Sequence, residues 1–314
     1  MEISGNKRKR EFGIDWSLIE ISRFLLRISY IGTNYYGIAF QKDDQVPTIE
    51  GEIYKALLQL KLIKDIDSCN LVRCGRTDRG VHSVGNYISV DLRIRAKNLE
   101  PYNYMEMLNG VLPWDIRVLG FCKVRPDFNA RFDCEYRLYK YFFPLNHVRT
   151  KTSKFPMIPP EQVPLMDKAA KQFLGTHDYR RFCKMDLKNR KNQTYIRTIY
   201  EFDISLVDDN KTFAVATIKG SAFLWHQVRL MMGILFEIGQ RRFEPEIITK
   251  MLTDAEQKNG ADFSFQMATE LGLVLWDCVF KEYNIQCNRS SMKTFLDESE
   301  SLKLKASLYS FIGS

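Results

Sequence analysis

Between positions 74 and 83 the chain reads Cys74-Gly75-Arg76-Thr77-Asp78-Arg79-Gly80-Val81-His82-Ser83. Two arginines, a carboxylate, a hydroxyl and two glycines are crowded together. At neutral pH Asp78 reads as an ionised carboxylate, able only to accept hydrogen bonds. A charged carboxylate held on a loop is what a nucleophile or a general base requires. The same ten residues also suit a surface turn with a solvated Arg–Asp pair, and the stretch alone leaves both readings open.

The flanking sequence says how such a loop would be held. Asn70-Leu71-Val72-Arg73 reads as a short strand, and Tyr87 to Leu92 alternates apolar and polar residues as a half-buried strand does. Gly75 and Gly80 permit tight turns and close approach of a ligand to the backbone. Upstream, Phe24 to Ile31 is a strand and Gly32 to Gly37 a turn carrying Tyr35 and Tyr36. Thr48 suits the cap of a helix with Ile49, Ile53, Ala56, Leu57 and Leu60 on one face. A helix from about Tyr102 to Asn109 is stopped by Pro113, and strands follow at 114–124 and 134–143.

Five of the ten prolines fall between 144 and 164, which marks a linker. Beyond it come a helix at 163–174, strands at 196–207 and 212–219, helices at 222–240 and 245–252, and a strand from Gly272 to Asp277. Mixed helices and strands in both parts predict an α+β protein with a cleft between two halves. We divide it into a basic tail at 1–20, expected to be disordered, halves at 21–146 and 147–285, and an extension at 286–314.

A net charge of +8 favours a polyanionic partner, and 45% hydrophobic residues make the chain globular. The densest basic stretch runs from Tyr179 to Arg197. There Arg180, Arg181, Lys184, Lys188, Arg190, Lys191 and Arg197 are interleaved with Tyr179, Phe182 and Tyr195. Such a mixture suits phosphate contact and base stacking, or a solvated loop. Lys7 to Arg10 reads as a nuclear-import run or a solvated tail, so the nucleus and the cytoplasm are the expected locations. The seven cysteines show no CxxC spacing and read as reduced thiols. No metal site, cofactor or membrane segment is expected.

Three stretches carry a family likeness. Gly75 to His82 resembles the GRTDxGVH signature of the TruA family of tRNA pseudouridine synthases, which implies that Asp78 is catalytic. Asn129-Ala130-Arg131-Phe132-Asp133-Cys134-Glu135-Tyr136-Arg137-Leu138-Tyr139-Lys140-Tyr141 is similar to the family's ARF…RxYxY stretch, which implies an active-site role for Tyr139. Ala222 to Gly233 resembles the FLxxxVR helix, whose arginine, here Arg229, pairs with the catalytic Asp. The likeness runs from about Arg23 to Tyr283. It implies two ferredoxin-like halves whose sheets join, an active-site cleft between them, and homodimerisation. Phe182 to Asp186, the helix from His226 to Gln240 and the strand ending Asp277-Cys278 resemble the eukaryotic branch acting at tRNA positions 38 and 39. His82 departs from that branch, which has Ser there.

The likeness implies isomerisation of uridine to pseudouridine in the anticodon stem-loop of tRNA. Arg76 would fill the space left by the extruded base, and Tyr139 would stack on it and take the C5 proton. Asp78 would attack the nucleotide or stabilise charge at C1′. Substrate contacts are expected from Arg76, Thr77, Arg180, Arg181, Lys184, Lys188 and Arg190. His82 reads as a packing or hydrogen-bonding residue. The alternatives are action at other tRNA positions, a non-catalytic tRNA-binding protein and a base-excising glycosylase.

Overall fold

The computed structural model describes residues 14–42, 45–96, 99–146, 154–184, 194–207, 209–253 and 264–285, together with positions 293 and 297. Strand β1 (Ile21–Tyr30) serves two cores. Phe24, Leu26, Ile28 and Tyr30 enter one apolar cluster and Leu25 the other, because side chains alternate across a strand. Thr48 caps helix α1 (Ile49–Gln59), its Oγ1 accepting the Gly51 N–H at 3.1 Å. The same helix buries Glu50, whose two oxygens accept from Arg73 at 2.6 and 2.8 Å. Burial pushes this carboxyl up, against the pull of Arg73.

Strand β2 (Val72–Arg73) pairs antiparallel with β3 (His82–Arg93), so residues 74–81 form a loop between strands, as expected. β3 begins at His82, five residues before the alternation at Tyr87 becomes visible, because Gly85 and Asn86 break the apolar pattern. Asn103 caps helix α2 (Tyr104–Asn109), and strands β4 (Ile116–Lys123) and β5 (Cys134–Pro144) follow.

The expected helix at 163–174 divides into α3 (Val163–Ala170) and a 3-10 turn, Lys171–Phe173. The edge strand β6 (Gly175–Asp178) was not foreseen. Its four residues, Gly-Thr-His-Asp, are exposed or half-buried and carry no apolar alternation. Strands β7 (Ile196–Leu206) and β8 (Phe213–Gly220), helices α4 (Gln227–Gly239) and α5 (Ile247–Thr253), and strand β9 (Leu273–Phe280) complete the described elements. α4 starts at Gln227 rather than Ala222, since His226 has φ 64° and ends any helix running into it. In the proline-rich stretch, Pro144 closes β5 and the Asn146 N–H donates to Ile158 O, while 147–153 lie outside the described residues.

Nine strands form one mostly antiparallel sheet in the order β4-β1-β3-β9-β5-β8-β7-β6, with β2 attached beside β3. The exception is the parallel seam between β3 and β9, which pairs His82 with Val274 and Ser83 with Leu275. The Ser83 hydroxyl reinforces it, donating to Leu275 O at 2.9 Å. Because the 74–81 loop ends where this seam begins, the loop comes beside strands from the far half of the chain. Among the described residues no helix is long and apolar enough to cross a membrane.

Candidate active site

The loop is anchored from below by buried polar groups. Asn86, fully buried, accepts the Gly75 N–H at 3.0 Å and donates to Gly75 O at 2.9 Å. The Thr77 hydroxyl lies 2.7 Å from the Tyr30 hydroxyl and is buried with it. The Thr77 hydroxyl therefore secures the loop from the interior, while the residue also lines the cleft in which a substrate contact was expected. From above, the Ile38 N–H donates to Thr77 O at 3.1 Å and the Gly80 N–H to Tyr35 O at 3.2 Å. Gly37 allows this approach: at φ 98°, a Cβ there would lie 2.8 Å from Thr77 O. His82 accepts the Gly32 N–H on Nδ1 at 3.2 Å, a hydrogen-bonding place in the frame of the turn.

So held, Asp78 lines a cleft of about 390 Å3 between the loop, β5 and residues 222–229. One carboxylate oxygen accepts the indole N–H of Trp225 at 3.2 Å, and the other lies 3.3 Å from Nε2 of His226. Burial lowers the His226 pKa, partly opposed by Asp78 and aided by Arg229 and Lys184. A neutral ring with its proton on Nε2 fits both facts, since Nδ1 is buried with no partner among the described residues. One oxygen of Asp78 thus accepts a hydrogen bond, and the other lies against the His226 ring.

Arg229 is not the partner of Asp78. Its Nε donates to Ala268 O at 2.8 Å and one terminal nitrogen meets Glu270 at 3.0 Å. Glu270 in turn reaches Lys154 at 3.3 Å. The expectation that a cation on an apolar helix needs an anion holds. The anion comes from the segment leading into β9. Arg229 still lines the cleft beside Asp78.

Tyr139 is buried on β5, 7% exposed, with its ring edge-on to Phe223 at 5.0 Å. Burial pushes its phenol well above the ordinary value, so it is protonated at neutral pH and is no resting base. Six arginines line the cleft, Arg73, Arg76, Arg131, Arg137, Arg197 and Arg229, against the one carboxylate of Asp78. Arg76 is exposed, and Arg131 lies over the Phe132 ring, which is 74% exposed.

Of the basic stretch, Lys184 reaches the site, its ammonium 4.9 Å from the Trp225 ring centre and its N–H donating to Trp225 O. Arg180 is paired with Asp178 at 2.7 Å and lies over Tyr195. Arg181 is half-buried in the same 3-10 turn. Lys188 and Arg190 lie outside the described residues.

The family model described as tRNA pseudouridine synthase matches residues 169–281. The Staphylococcus aureus protein named tRNA pseudouridine synthase A is 31% identical over 284 residues, covering 90% of this chain and 93% of that protein. The chain belongs to the tRNA pseudouridine synthase family. Other members similar to it are the human tRNA pseudouridine(38/39) synthase, 38% identical over 300 residues, and the Saccharomyces cerevisiae protein of the same name, 39% identical over 279. These matches cover 88% and 84% of this chain but 58% and 59% of the two relatives, so the chain spans under two thirds of their length.

Within this family framework, sequence reasoning missed the groups nearest Asp78. Trp225 and His226 stand inside the third motif, yet only Arg229 was singled out. Their relevance depends on the left-handed turn at His226, which no residue type announces. Arg131 and Arg197 were visible as cations, but nothing in their spacing set them in the cleft.

Proposed function

We propose that this chain isomerises uridine to pseudouridine in the anticodon stem-loop of tRNA, at positions 38 and 39. The observation that carries the reading is the Asp78 carboxylate, held by the Trp225 N–H on one oxygen with the His226 ring 3.3 Å from the other, in a cleft lined by six arginines. The names of the human and yeast relatives support the two positions. A cleft of this volume admits one nucleoside, and a base inside a helix must first leave its stack. Arg76 stands exposed to fill the gap, while the cleft cations meet the backbone phosphates.

Inside, Asp78 acts at C1′ as nucleophile or electrostatic partner while the N1–C1′ bond breaks. The uracil turns against Tyr139 and Phe223, the C5–C1′ bond forms, and the C5 proton leaves as N1 gains one. Tyr139 enters protonated, so it takes up the C5 proton only after giving its own away. We infer too that the sheet comprises two ferredoxin-like halves meeting at the β3–β9 seam; β5 lies beyond that seam, so the chain crosses from one half to the other before Cys134 and not near residue 147 as the prolines suggested. The family reading further implies a homodimer and a nuclear or cytoplasmic location. Incubation with an anticodon stem-loop, followed by pseudouridine mapping and mass measurement, tests the reaction. Pseudouridine at positions 38 and 39 with unchanged RNA mass is expected; released uracil, or no pseudouridine, overturns the reading.

A further inference from the structure

Three cysteines with no motif spacing converge behind the loop. The sulfurs of Cys74, Cys134 and Cys278 all lie within 4.8 Å of one another, and the residues are 5%, 8% and 1% exposed. They come from three elements: Cys74 opens the loop that carries Asp78, Cys134 begins β5 and Cys278 lies in β9. Cys74 is fixed by its N–H donating to Tyr87 O at 2.7 Å, and Cys278 pairs across the ladder with Arg137.

Arg137 is the second observation. Its guanidinium is buried and donates only to carbonyls, those of Ser221, Cys74 and Arg131 at 2.8, 3.3 and 2.6 Å. Among the described residues no carboxylate lies within ion-pair distance of it. A buried cation calls for nearby negative charge, and on the side away from the cleft that Arg137 also lines the groups able to supply it are the three sulfurs.

We propose that Cys74, Cys134 and Cys278 form a binding site for a thiophilic divalent cation, zinc, which ties the Asp78 loop to the strand bearing Tyr139. Thiolates select such soft ions over magnesium or calcium. Zinc–sulfur bonds of about 2.3 Å set tetrahedral sulfurs about 3.8 Å apart, so the cluster needs to close by about 1 Å at most. In the metal-free chain the Cys134 thiol donates to the Tyr136 carbonyl at 3.2 Å, a hydrogen bond that metal binding would replace. Charge also closes: a dication, three thiolates and Arg137 sum to zero. Binding forms metal–sulfur bonds and releases the thiol protons to solvent, and no electron moves. Buried thiols serving only as small apolar fillers would need neither the convergence nor the unpaired arginine.

The site is tested on the full chain, reduced, stripped with a chelator and titrated with zinc. One zinc per chain is expected, with the melting temperature raised by about 5 °C. X-ray absorption at the zinc edge of the wild-type chain should show about three sulfurs at roughly 2.3 Å. That measurement needs no variant, so misfolding cannot mimic its result. Cys278→Ala and Cys134→Ala should each lower bound zinc at least about tenfold. No stoichiometric zinc, a nitrogen-and-oxygen shell without sulfur, or full zinc retention in either variant overturns the proposal.

Discussion

One wall of the cleft is the 74–81 loop, and the other is the turn from 222 to 229. On the loop wall, linked buried polar side chains hold the loop: Asn86 grips the Gly75 backbone from both sides and donates to Tyr30, which meets the Thr77 hydroxyl. On the turn wall a single left-handed residue, His226, sets the geometry. Gln227 braces it by accepting the Leu224 N–H at 2.7 Å. The loop wall presents a charge. The turn wall presents the Trp225 N–H and the His226 ring to that charge. A rigid anion and an adjustable clamp give different mutational signatures, and the comparison can be broken at either wall.

The largest effect is expected at the charge itself. Asp78→Asn should cut pseudouridine formation by roughly a thousandfold or more, because single losses of acting groups cost on that scale. Loop anchoring does not pass through the carboxylate, so the melting temperature and tRNA affinity should stay near wild type. Turnover above about a tenth of wild type would remove Asp78 from the chemistry.

Anchoring comes next. Asn86→Ala leaves the Gly75 N–H and C=O buried without partners, at a cost of about 1–3 kcal/mol for each such group. Arg229→Ala on the opposite wall leaves Glu270 facing Lys154 alone. Glu270 is partly exposed, so about 1–2 kcal/mol is expected rather than the full penalty of a buried pair. Denaturant unfolding of both variants should therefore rank Asn86→Ala as the more damaging. The reverse order would mean that the turn wall, not the loop, carries the frame.

How much of this was legible follows the same division. The loop wall is contiguous, so its residues and glycines stood in the sequence in working order. Its anchors were not legible: Tyr30 lies 47 positions from Thr77 and Asn86 lies 11 from Gly75, and each reaches its partner through strand pairing. On the turn wall, the need of Arg229 for an anion was legible, but its identity was not, because Glu270 arrives through the β9 connection. The cysteine cluster escaped for the same reason. A CxxC search looks for ligands adjacent in sequence, and here a loop and two strands far apart in the chain bring them together. β6 escaped because an exposed edge strand has no apolar alternation to show.

The clamp gives a smaller and more selective effect. His226→Asn keeps a residue tolerant of φ 64° but shortens its reach to Asp78, whereas His226→Ala also strains the turn. Both should slow turnover, by up to about tenfold for one lost polar contact to a charge. Only the alanine variant should lose a further ~1 kcal/mol of stability. Equal stability of the two variants would show that the left-handed turn stores no strain.

The smallest effect is one of pH, and it compares a histidine from each wall. Burial lowers the pKa of both His82 and His226 in the folded chain. For His226 the facing charges are Asp78, which opposes the shift, and Arg229 and Lys184, which add to it. An unfolded histidine binds its proton near pH 6.5. Below that pH and down to the folded pKa, the unfolded chain holds more protons than the native one, so stability rises with pH across the window. The contribution is complete above about pH 6.5 and is lost on acidification, by up to about 1.4 kcal/mol per pH unit for each group. Asp277 and Glu50, both raised by burial, act with the opposite sign at lower pH, so the informative quantity is the difference between wild type and variant. Melting temperatures from pH 5 to 7 should converge on acidification for wild type and His226→Asn, because only wild type loses stability through this group. If they diverge instead, the Asp78–His226 contact is an ion pair with a protonated ring, and the turn wall carries a positive charge rather than a neutral donor.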